Sequence, residues 1–145
     1  MTTAPVNILL VEDNDVDVET VERAFRKYKI ANPVTVAVDG LEALQILRGE
    51  GGHEKFQRPY IVLLDLNLPR MNGIEFLEEL RRDEQLGDSV VFVLTTSNSP
   101  EDKNASYNHN IAGYMVKTEI GRDFLSLAEM LDCYWRVVEL PLPHD

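Results

Sequence analysis

The sequence holds a single cysteine, Cys133, so the chain cannot form an internal disulfide. A chain without disulfides suits a reducing compartment, and we expect it in the cytoplasm. No apolar run approaches the ~18 residues that a membrane span needs. The opening MTTAPVN also lacks the basic and apolar regions of a secretory signal. The sequence therefore argues against membrane insertion.

Basic side chains are also scarce. The chain has 14 Lys and Arg against 25 Asp and Glu, for a formal net charge of −11. Proteins that bind nucleic acid neutralise phosphates with a basic face, so this balance argues against direct binding to nucleic acid. The length of 145 residues fits one domain with one core, and 44% hydrophobic and 27% charged residues are typical of a globular chain.

Five short runs rich in Val, Ile and Leu predict strands, over residues 6–11, 34–38, 60–65, 90–95 and 112–116. The three longest runs are nearly continuous rather than alternating, which is typical of strands covered on both faces. Between the runs, apolar residues recur at steps of three and four, as a buried helix face requires. These sets are Val18, Val21, Phe25 and Tyr28, then Leu41, Leu44 and Leu47, then Ile74, Leu77 and Leu80.

Two further helices complete the alternation. Ser99 is a predicted N-cap, with Pro100 at the first helical position. The fifth helix is predicted over residues 119–138 with a short tail, and residues 48–59 are predicted to be a flexible loop. Strand–helix alternation repeated along the chain predicts an α/β fold, an open parallel sheet with helices on both faces.

Polar residues lie where the predicted strands end. Glu12 and Asp13 follow the first strand, Asp65 ends the third, Thr95 ends the fourth, and Lys117 follows the fifth. Because the carboxyl ends of parallel strands meet at one edge of a sheet, we expect these side chains to converge there.

Such a cluster favours phosphoryl chemistry. Carboxylates that are close together repel one another unless a cation lies among them, and an all-oxygen set suits Mg²⁺. A carboxylate beside Mg²⁺ can attack phosphorus and form an aspartyl phosphate. Asp65 is the predicted nucleophile, because its strand should be central, and Lys117 and Thr95 would stabilise the charged phosphoryl oxygens.

Four stretches in this order, LLVEDN, LLDLNLPRMNG, VLTTS and GYMVK, resemble the signatures of the receiver domain, the phospho-accepting module of bacterial two-component response regulators. The resemblance covers nearly the whole chain. It implies a doubly wound, flavodoxin-like sheet of strand order 2-1-3-4-5. It also implies one receiver domain over residues 1–145, without an output domain.

The resemblance further implies the roles of the site residues. Asp13 and Asp65 would bind Mg²⁺ directly, Glu12 through water, and Asn67 through its backbone carbonyl. Asp65 would take the phosphoryl group from a sensor histidine kinase.

The resemblance likewise implies a conformational switch. Lys117 would contact the phosphoryl oxygens, and Thr95 and Tyr114 would be paired switch residues that change the face formed by helix 4, strand 5 and helix 5. The family usually has proline after this lysine, whereas Thr118 stands here. That difference affects where the side chain of Lys117 is expected to lie.

The expected function is a signalling switch acting on an unknown downstream protein, not an enzyme with an external substrate. DNxxDVE, LTTS, DKNASYNHNIAGYMVK and the Trp-bearing tail look most like regulators paired with bacterial phytochrome kinases. The alternative is a docking module with the same fold that works without phosphorylation. An aspartyl-phosphate phosphatase would need an acid where Asn67 stands, and the acidic EDND would repel a flavin phosphate.

Apolar residues cover roughly half the circumference of the last predicted helix. One interpretation is that its N-terminal half packs on the sheet and its tail folds back. The other is a homodimer through this helix, because large exposed apolar patches usually mark interfaces. The predicted interface residues are Phe124, Leu127, Leu131, Tyr134, Trp135 and Val138.

Overall fold

The computed structural model describes residues 5–143, so the predicted domain over residues 1–145 extends past the described residues at both ends. Strands and helices alternate along the chain as the sequence predicts. The elements are β1 (Asn7–Val11), α1 (Asp15–Lys27), β2 (Val34–Ala37), α2 (Gly40–Arg48), β3 (Tyr60–Leu64), α3 (Gly73–Arg82), β4 (Val90–Thr95), α4 (Pro100–Asn108), β5 (Gly113–Val116) and α5 (Leu125–Val137).

The strands form one parallel sheet in the order β2-β1-β3-β4-β5, which confirms the predicted topology. The central strand β3 is buried along its whole length. Its neighbour β1 pairs with it in a register that sets Val11 opposite Leu64. The residues that follow these two strands, Glu12 and Asp65, therefore leave the sheet side by side.

Two hydrophobic clusters cover the two faces of the sheet. Alternate strand residues point to opposite faces, so that Leu63 packs with α1 and α5 while Leu64 packs with α2 and α3. This explains the continuous apolar runs in the sequence, since both faces of the inner strands are covered by helices. Among residues 5–143, no helix is long and apolar enough to cross a membrane.

The helix termini follow the local sequence. The Ser99 side chain accepts a hydrogen bond from the Asp102 backbone N–H, and Pro100 occupies the first turn, as predicted for the start of α4. Asn72 and Glu75 form a reciprocal capping box at the start of α3. The start of α3 is therefore held firmly beside the loop that follows Asp65.

The last helix differs from its prediction. It begins at Leu125, not near residue 119, because residues 117–123 form turns and Phe124 has a left-handed backbone with φ of 55°. That conformation cannot continue a right-handed helix. Two predicted core positions, Tyr28 and Leu41, are instead partly exposed, because each lies at the end of its helix.

The predicted interface on α5 is wrong for half of its residues. Phe124, Leu127 and Leu131 are buried against the sheet within the same chain, so they cannot contact a second copy. Tyr134 is half-buried, with its ring edge-on to Phe92. These contacts agree with the interpretation that the N-terminal half of the helix packs on the sheet.

The connection from α2 to β3, residues 49–59, has no regular structure, and it corresponds to the predicted loop at residues 48–59. Several of its side chains make defined contacts. The Phe56 ring stacks edge-on to Tyr60, and Arg58 bonds to the Gln85 carbonyl and the Asp88 carboxylate. The loop thus packs at the end of the sheet remote from the polar cluster, since it leads into the start of β3.

Candidate functional site

Backbone hydrogen bonds continue the sheet beyond the strands and set the positions of the polar side chains. The Asp65 N–H donates to the Val11 carbonyl at 3.0 Å, and the Glu12 N–H donates to the Ala37 carbonyl at 2.8 Å. The Lys117 N–H donates to the Thr95 carbonyl at 2.8 Å. Residues far apart in sequence therefore converge at the carboxyl edge of the sheet, as predicted.

Three carboxylates meet at this edge. Oxygens of Glu12, Asp13 and Asp65 lie within 4.8 Å of one another. Glu12 and Asp65 are buried, whereas Asp13 is exposed and faces solvent. A set of three carboxylates, open on one side, has the oxygen chemistry and the charge that a hard divalent cation requires. These residues fit a metal site.

The ammonium of Lys117 lies among the acids. Its Nζ donates to Glu12 at 2.7 Å, to Asp17 at 2.8 Å and to Asp65 at 3.2 Å. Lys117 is buried although Thr118 follows it in place of proline, so the altered junction does not displace the side chain from the site. Glu12, Asp65 and Lys117 are brought together as the sequence predicts.

Asp17 was not predicted as a site residue. It lies in the first turn of α1, where acids are common because they face the positive end of the helix dipole, and that ordinary role hides its contact with Lys117. Asp17 follows Glu12 and Asp13 by about one helical turn, and this spacing is the signal that could have indicated it as a site residue.

The ammonium of Lys117, which three acids share, changes the acid–base behaviour of the cluster. Burial, together with the nearby charge of Asp65, raises the pKa of Glu12 to about 7 in spite of its hydrogen bond from Lys117. Burial alone lowers the pKa of Lys117, but its hydrogen bonds to Asp17 and Glu12 outweigh this and raise the pKa above its usual value. Both pKa values are raised, which favours the charged form of Lys117 and the neutral form of Glu12. Lys117 therefore stays charged, whereas burial disfavours the ionised form of Glu12.

The second oxygen of Asp65 faces the loop after β3. The Asn67 backbone N–H donates to it at 3.3 Å, and the Asn67 side chain reaches the Thr96 hydroxyl at 3.4 Å. The loop turns tightly at Gly73, where an added Cβ would lie 2.7 Å from the Asp65 carbonyl oxygen. The glycine of the LPRMNG stretch therefore allows α3 to begin directly against the phospho-acceptor candidate.

The two predicted switch residues meet at Ser97. Thr95 is fully buried, and its hydroxyl accepts a hydrogen bond from the Ser97 N–H at 3.4 Å. The Tyr114 hydroxyl donates to the Ser97 carbonyl at 2.9 Å. Burial and the charges of Asp102 and Asp65 raise the pKa of Tyr114, so the hydroxyl keeps its proton. Ser97 is a second residue whose role the sequence did not predict, since only the fold sets it between the two.

The fold and this cluster define a class of protein, the receiver module built around an acidic sheet edge. The model of the response regulator receiver domain matches residues 8–129, and the chain belongs to that family. Several similar solved structures are phytochrome or bacteriophytochrome response regulators. Receivers of this family bind a divalent metal and interact with histidine kinases.

Individual relatives support the same assignment. The chain is 35% identical over 138 residues to response regulator Rcp1 of Synechocystis sp., covering 94% of each protein. It is 37% identical to the probable methanogenesis regulatory protein FilR2 of Methanothrix harundinacea, over 90% of this chain and 84% of that one.

Solved structures are also similar. The Mn²⁺-bound form of Rcp1 matches with a TM-score of 0.83 at 35% identity, over 94% of this chain and 99% of that one. The phosphorylated cyanobacterial phytochrome response regulator RcpA matches with a TM-score of 0.85 at 33% identity, over 95% of this chain and 99% of that one.

Proposed function

We propose that this chain is a phospho-accepting response regulator whose Asp65 takes a phosphoryl group from the phosphohistidine of a sensor histidine kinase. The observation that carries the proposal is the position of the Asp65 carboxylate, within 4.8 Å of the Glu12 and Asp13 oxygens and 3.2 Å from the Lys117 ammonium. A nucleophilic carboxylate beside a cation site and a fixed ammonium is the arrangement that phosphoryl transfer needs.

In the transfer step, an oxygen of Asp65 forms a bond to phosphorus as the phosphorus–nitrogen bond to the kinase histidine breaks. The electron pair of that bond stays on the imidazole nitrogen, which then takes a proton from solvent. Lys117 donates to the phosphoryl oxygens and offsets their charge. The Thr95 hydroxyl is the candidate donor to another of these oxygens, since it lies at the end of the neighbouring strand β4.

The metal of this proposal is Mg²⁺. Asp13 and Asp65 would bind it directly, Glu12 through water, and Asn67 through its carbonyl oxygen. When bound, the ion would neutralise the negative charges of the carboxylates and of the phosphoryl oxygens, which would otherwise repel one another. The exposed side of the cluster at Asp13 is where solvent and a phosphodonor have access.

The signal would travel through Ser97 to the face formed by α4, β5 and α5. A Thr95 hydroxyl that turns toward a phosphoryl oxygen gives up its bond from the Ser97 N–H. Because the Tyr114 hydroxyl is hydrogen-bonded to the carbonyl of the same residue, a shift of Ser97 would move the Tyr114 ring with it. The downstream protein that reads this face is unknown. The kinase would be a bacterial phytochrome, as the similarity to the phytochrome response regulator RcpA suggests, and kinase and regulator would both act in the cytoplasm.

The test is the intact mass of the protein after incubation with Mg²⁺ and a small phosphodonor. Wild type should gain the mass of one phosphoryl group, and Asp65→Asn should gain nothing. Asp132→Asn, the same change at a half-buried aspartate of α5 that pairs with Arg136, is the matched control and should behave as wild type. A gain in Asp65→Asn equal to that of wild type would mean that another residue is the acceptor.

The alternative is a docking module with a receiver fold that works without phosphorylation. It predicts no mass gain for wild type and no response of Trp135 fluorescence to beryllofluoride. The intact acid set and the buried Lys117 favour the phospho-acceptor. Under the leading proposal the protein is not an enzyme with an external substrate, and its chemistry is limited to its own phosphorylation and dephosphorylation.

A homodimer remains a second proposal, now restricted to the end of α5. Val137 is 83% exposed and Val138 is 39% exposed, and Trp135 beside them is partly buried. Sedimentation of wild type and Trp135→Glu, with and without beryllofluoride, tests it. Association in wild type that Trp135→Glu abolishes supports the dimer, and a monomeric wild type at micromolar concentration in both states contradicts it.

A further inference from the structure

The contact between Lys117 and Asp17 differs from the other two contacts of this ammonium. Glu12 and Asp65 belong to the acidic cluster and lie at the sheet edge, whereas Asp17 lies on α1. Its carboxylate is 2.8 Å from the ammonium, shorter than the 3.2 Å contact with Asp65. The Asp17 side chain is 25% exposed, against 7% for Lys117, so it approaches the buried ammonium from the solvent side.

The ammonium has no spare donor. A lysine carries three N–H groups, and Glu12, Asp17 and Asp65 accept all of them. A new bond to a phosphoryl oxygen therefore requires that one carboxylate be released. Glu12 and Asp65 are candidate groups of the metal and phosphoryl site. The contact with Asp17 is the one that can break while Glu12 and Asp65 keep their places in the metal and phosphoryl site.

The charges also favour the replacement of Asp17 by a phosphoryl oxygen as a partner of Lys117. Glu12, Asp13, Asp17 and Asp65 give four negative charges around the one positive charge of Lys117, a sum of −3 when all are ionised. A phosphoryl group adds further negative charge at Asp65. Asp17 thus repels the phosphorylated state while it attracts the ammonium in the unphosphorylated one.

The backbone holds Asp17 in place. The Asn14 side chain accepts a hydrogen bond from the Asp17 N–H at 3.1 Å, which caps α1. The Asn14 N–H in turn donates to Glu12 at 3.2 Å. The same short segment therefore fixes both the acidic pair and the start of the helix that carries Asp17.

On the basis of the proposed function, we infer that Asp17 is a positioning residue that holds Lys117 in the unphosphorylated state and that releases it when a phosphoryl oxygen takes its place. Phosphorylation therefore has to break the contact between Asp17 and Lys117, which makes it less favourable. Its removal should make the site easier to phosphorylate.

Beryllofluoride, which mimics the phosphoryl group on an aspartate, tests the inference by titration in saturating Mg²⁺. Asp17→Asn should bind it about tenfold more tightly than wild type, the order expected when one charge-assisted contact no longer competes. Asp15→Asn is the matched control, because Asp15 lies in the same helical turn, is exposed, and loses the same charge. It should change the affinity less than twofold. Asp17→Glu, which keeps the charge, should stay close to wild type.

Affinity for Mg²⁺ without beryllofluoride is the second measurement. Loss of a carboxylate near a cation site cannot strengthen cation binding, so Asp17→Asn should bind Mg²⁺ as wild type does or more weakly. An equal rise in both affinities would overturn the inference, since the effect would then act through the metal. A beryllofluoride affinity for Asp17→Asn that equals or falls below that of Asp15→Asn would also overturn it.

Folding and the proposed function are controlled separately. Urea unfolding checks that each variant is folded, and Asp17→Ser carries the same expectation as Asp17→Asn if the latter is unstable. Wild type that binds no beryllofluoride at all would overturn the proposed function and this inference with it. Binding by wild type that Asp65→Asn abolishes, without tightening in the Asp17 variants, would overturn this inference alone.

Discussion

The Tyr114 hydroxyl donates a hydrogen bond to the backbone carbonyl of Ser97 at 2.9 Å. The N–H of the same serine donates to the Thr95 hydroxyl. One residue of the β4–α4 loop therefore connects a buried hydroxyl at the sheet edge to a half-buried ring on β5. A change in either contact alters the other, because both depend on the same peptide units.

Replacing Tyr114 by Phe should remove the bond to Ser97 and keep the ring. We expect a loss of about 1 kcal/mol in the free energy of unfolding, the usual contribution of a partly buried hydrogen bond. Urea denaturation measures it. Tyr107→Phe is the control, since the Tyr107 ring is 53% exposed on α4 and its change should have little effect. Equal losses in both variants would contradict a specific role for the Ser97 contact.

Arg81 should be the most sensitive basic residue outside the site. Its guanidinium donates to the carbonyls of His109 at 2.6 Å, Gly87 at 2.8 Å, Ser89 at 2.7 Å and Asn110 at 3.0 Å. It thereby joins the end of α3 to the loops before β4 and β5. Arg81→Met should lower the free energy of unfolding by about 3 kcal/mol, because four carbonyls, three of them in partly buried contacts, lose a charged donor.

Arg82 offers the matched control for that variant. It is the next residue, it is 70% exposed, and its ion pair is with Glu79 on the same helix at i−3. Exposed pairs of this kind contribute about 0.5 kcal/mol or less. Arg82→Met should therefore change the urea midpoint only slightly, and a loss as large as that of Arg81→Met would show that the carbonyl contacts are not the cause.

Metal binding should depend on pH through Glu12. Its pKa of about 7 in the metal-free protein lies above its ordinary value of 4.5, so between these values the folded state binds more protons than the unfolded state. This contribution to stability is full below pH 4.5 and is lost as the pH rises toward 7. A cation needs the ionised carboxylate. Mg²⁺ affinity should therefore rise over the same window.

Calorimetry in buffers of different ionisation enthalpy measures the protons that Mg²⁺ releases. Wild type should release them below pH 7 and few at pH 8, as the Glu12 pKa of about 7 requires. Glu12→Gln should bind more weakly and show little proton release at either pH. Strong release that persists in Glu12→Gln would assign the titration to another acid.

Gly73→Ala should disturb the loop after Asp65. The added Cβ would lie 2.7 Å from the Asp65 carbonyl oxygen and 2.7 Å from the Leu66 Cα, and backbone atoms there cannot move aside cheaply. We expect a loss of about 2 kcal/mol in stability, as for other overpacked sites, together with slower phosphorylation by a small phosphodonor.

Gly52→Ala provides the comparison for Gly73→Ala. A Cβ at Gly52 would meet no atom of residues 5–143 within 4 Å, although its φ of +86° makes the change unfavourable by about 1 kcal/mol. Its phosphorylation rate should equal that of wild type. A normal rate in Gly73→Ala would show that the tight turn does not control the acceptor carboxylate.

The sheet and its polar edge could be predicted from the sequence, because each depends on local pattern. Continuous apolar runs indicate buried strands, and alternation with helices restricts the connections to a parallel sheet. Glu12, Asp65 and Lys117 each follow such a run directly, so the fold itself brings them together. The start of α5 was misplaced because the left-handed backbone at Phe124 has no signature in an apolar side chain.

What the sequence determined for this chain is the order of its elements and which residues stand at the sheet edge, since both follow from periodicity and chain direction. Tertiary structure alone decided which carboxylates share the ammonium of Lys117, and which apolar side chains of α5 are buried, such as Leu127 and Leu131. These depend on distances between elements that are far apart in sequence. The spacing of Asp17 after the acidic pair can point to the residue, but only the fold brings it to Lys117, one hundred residues away.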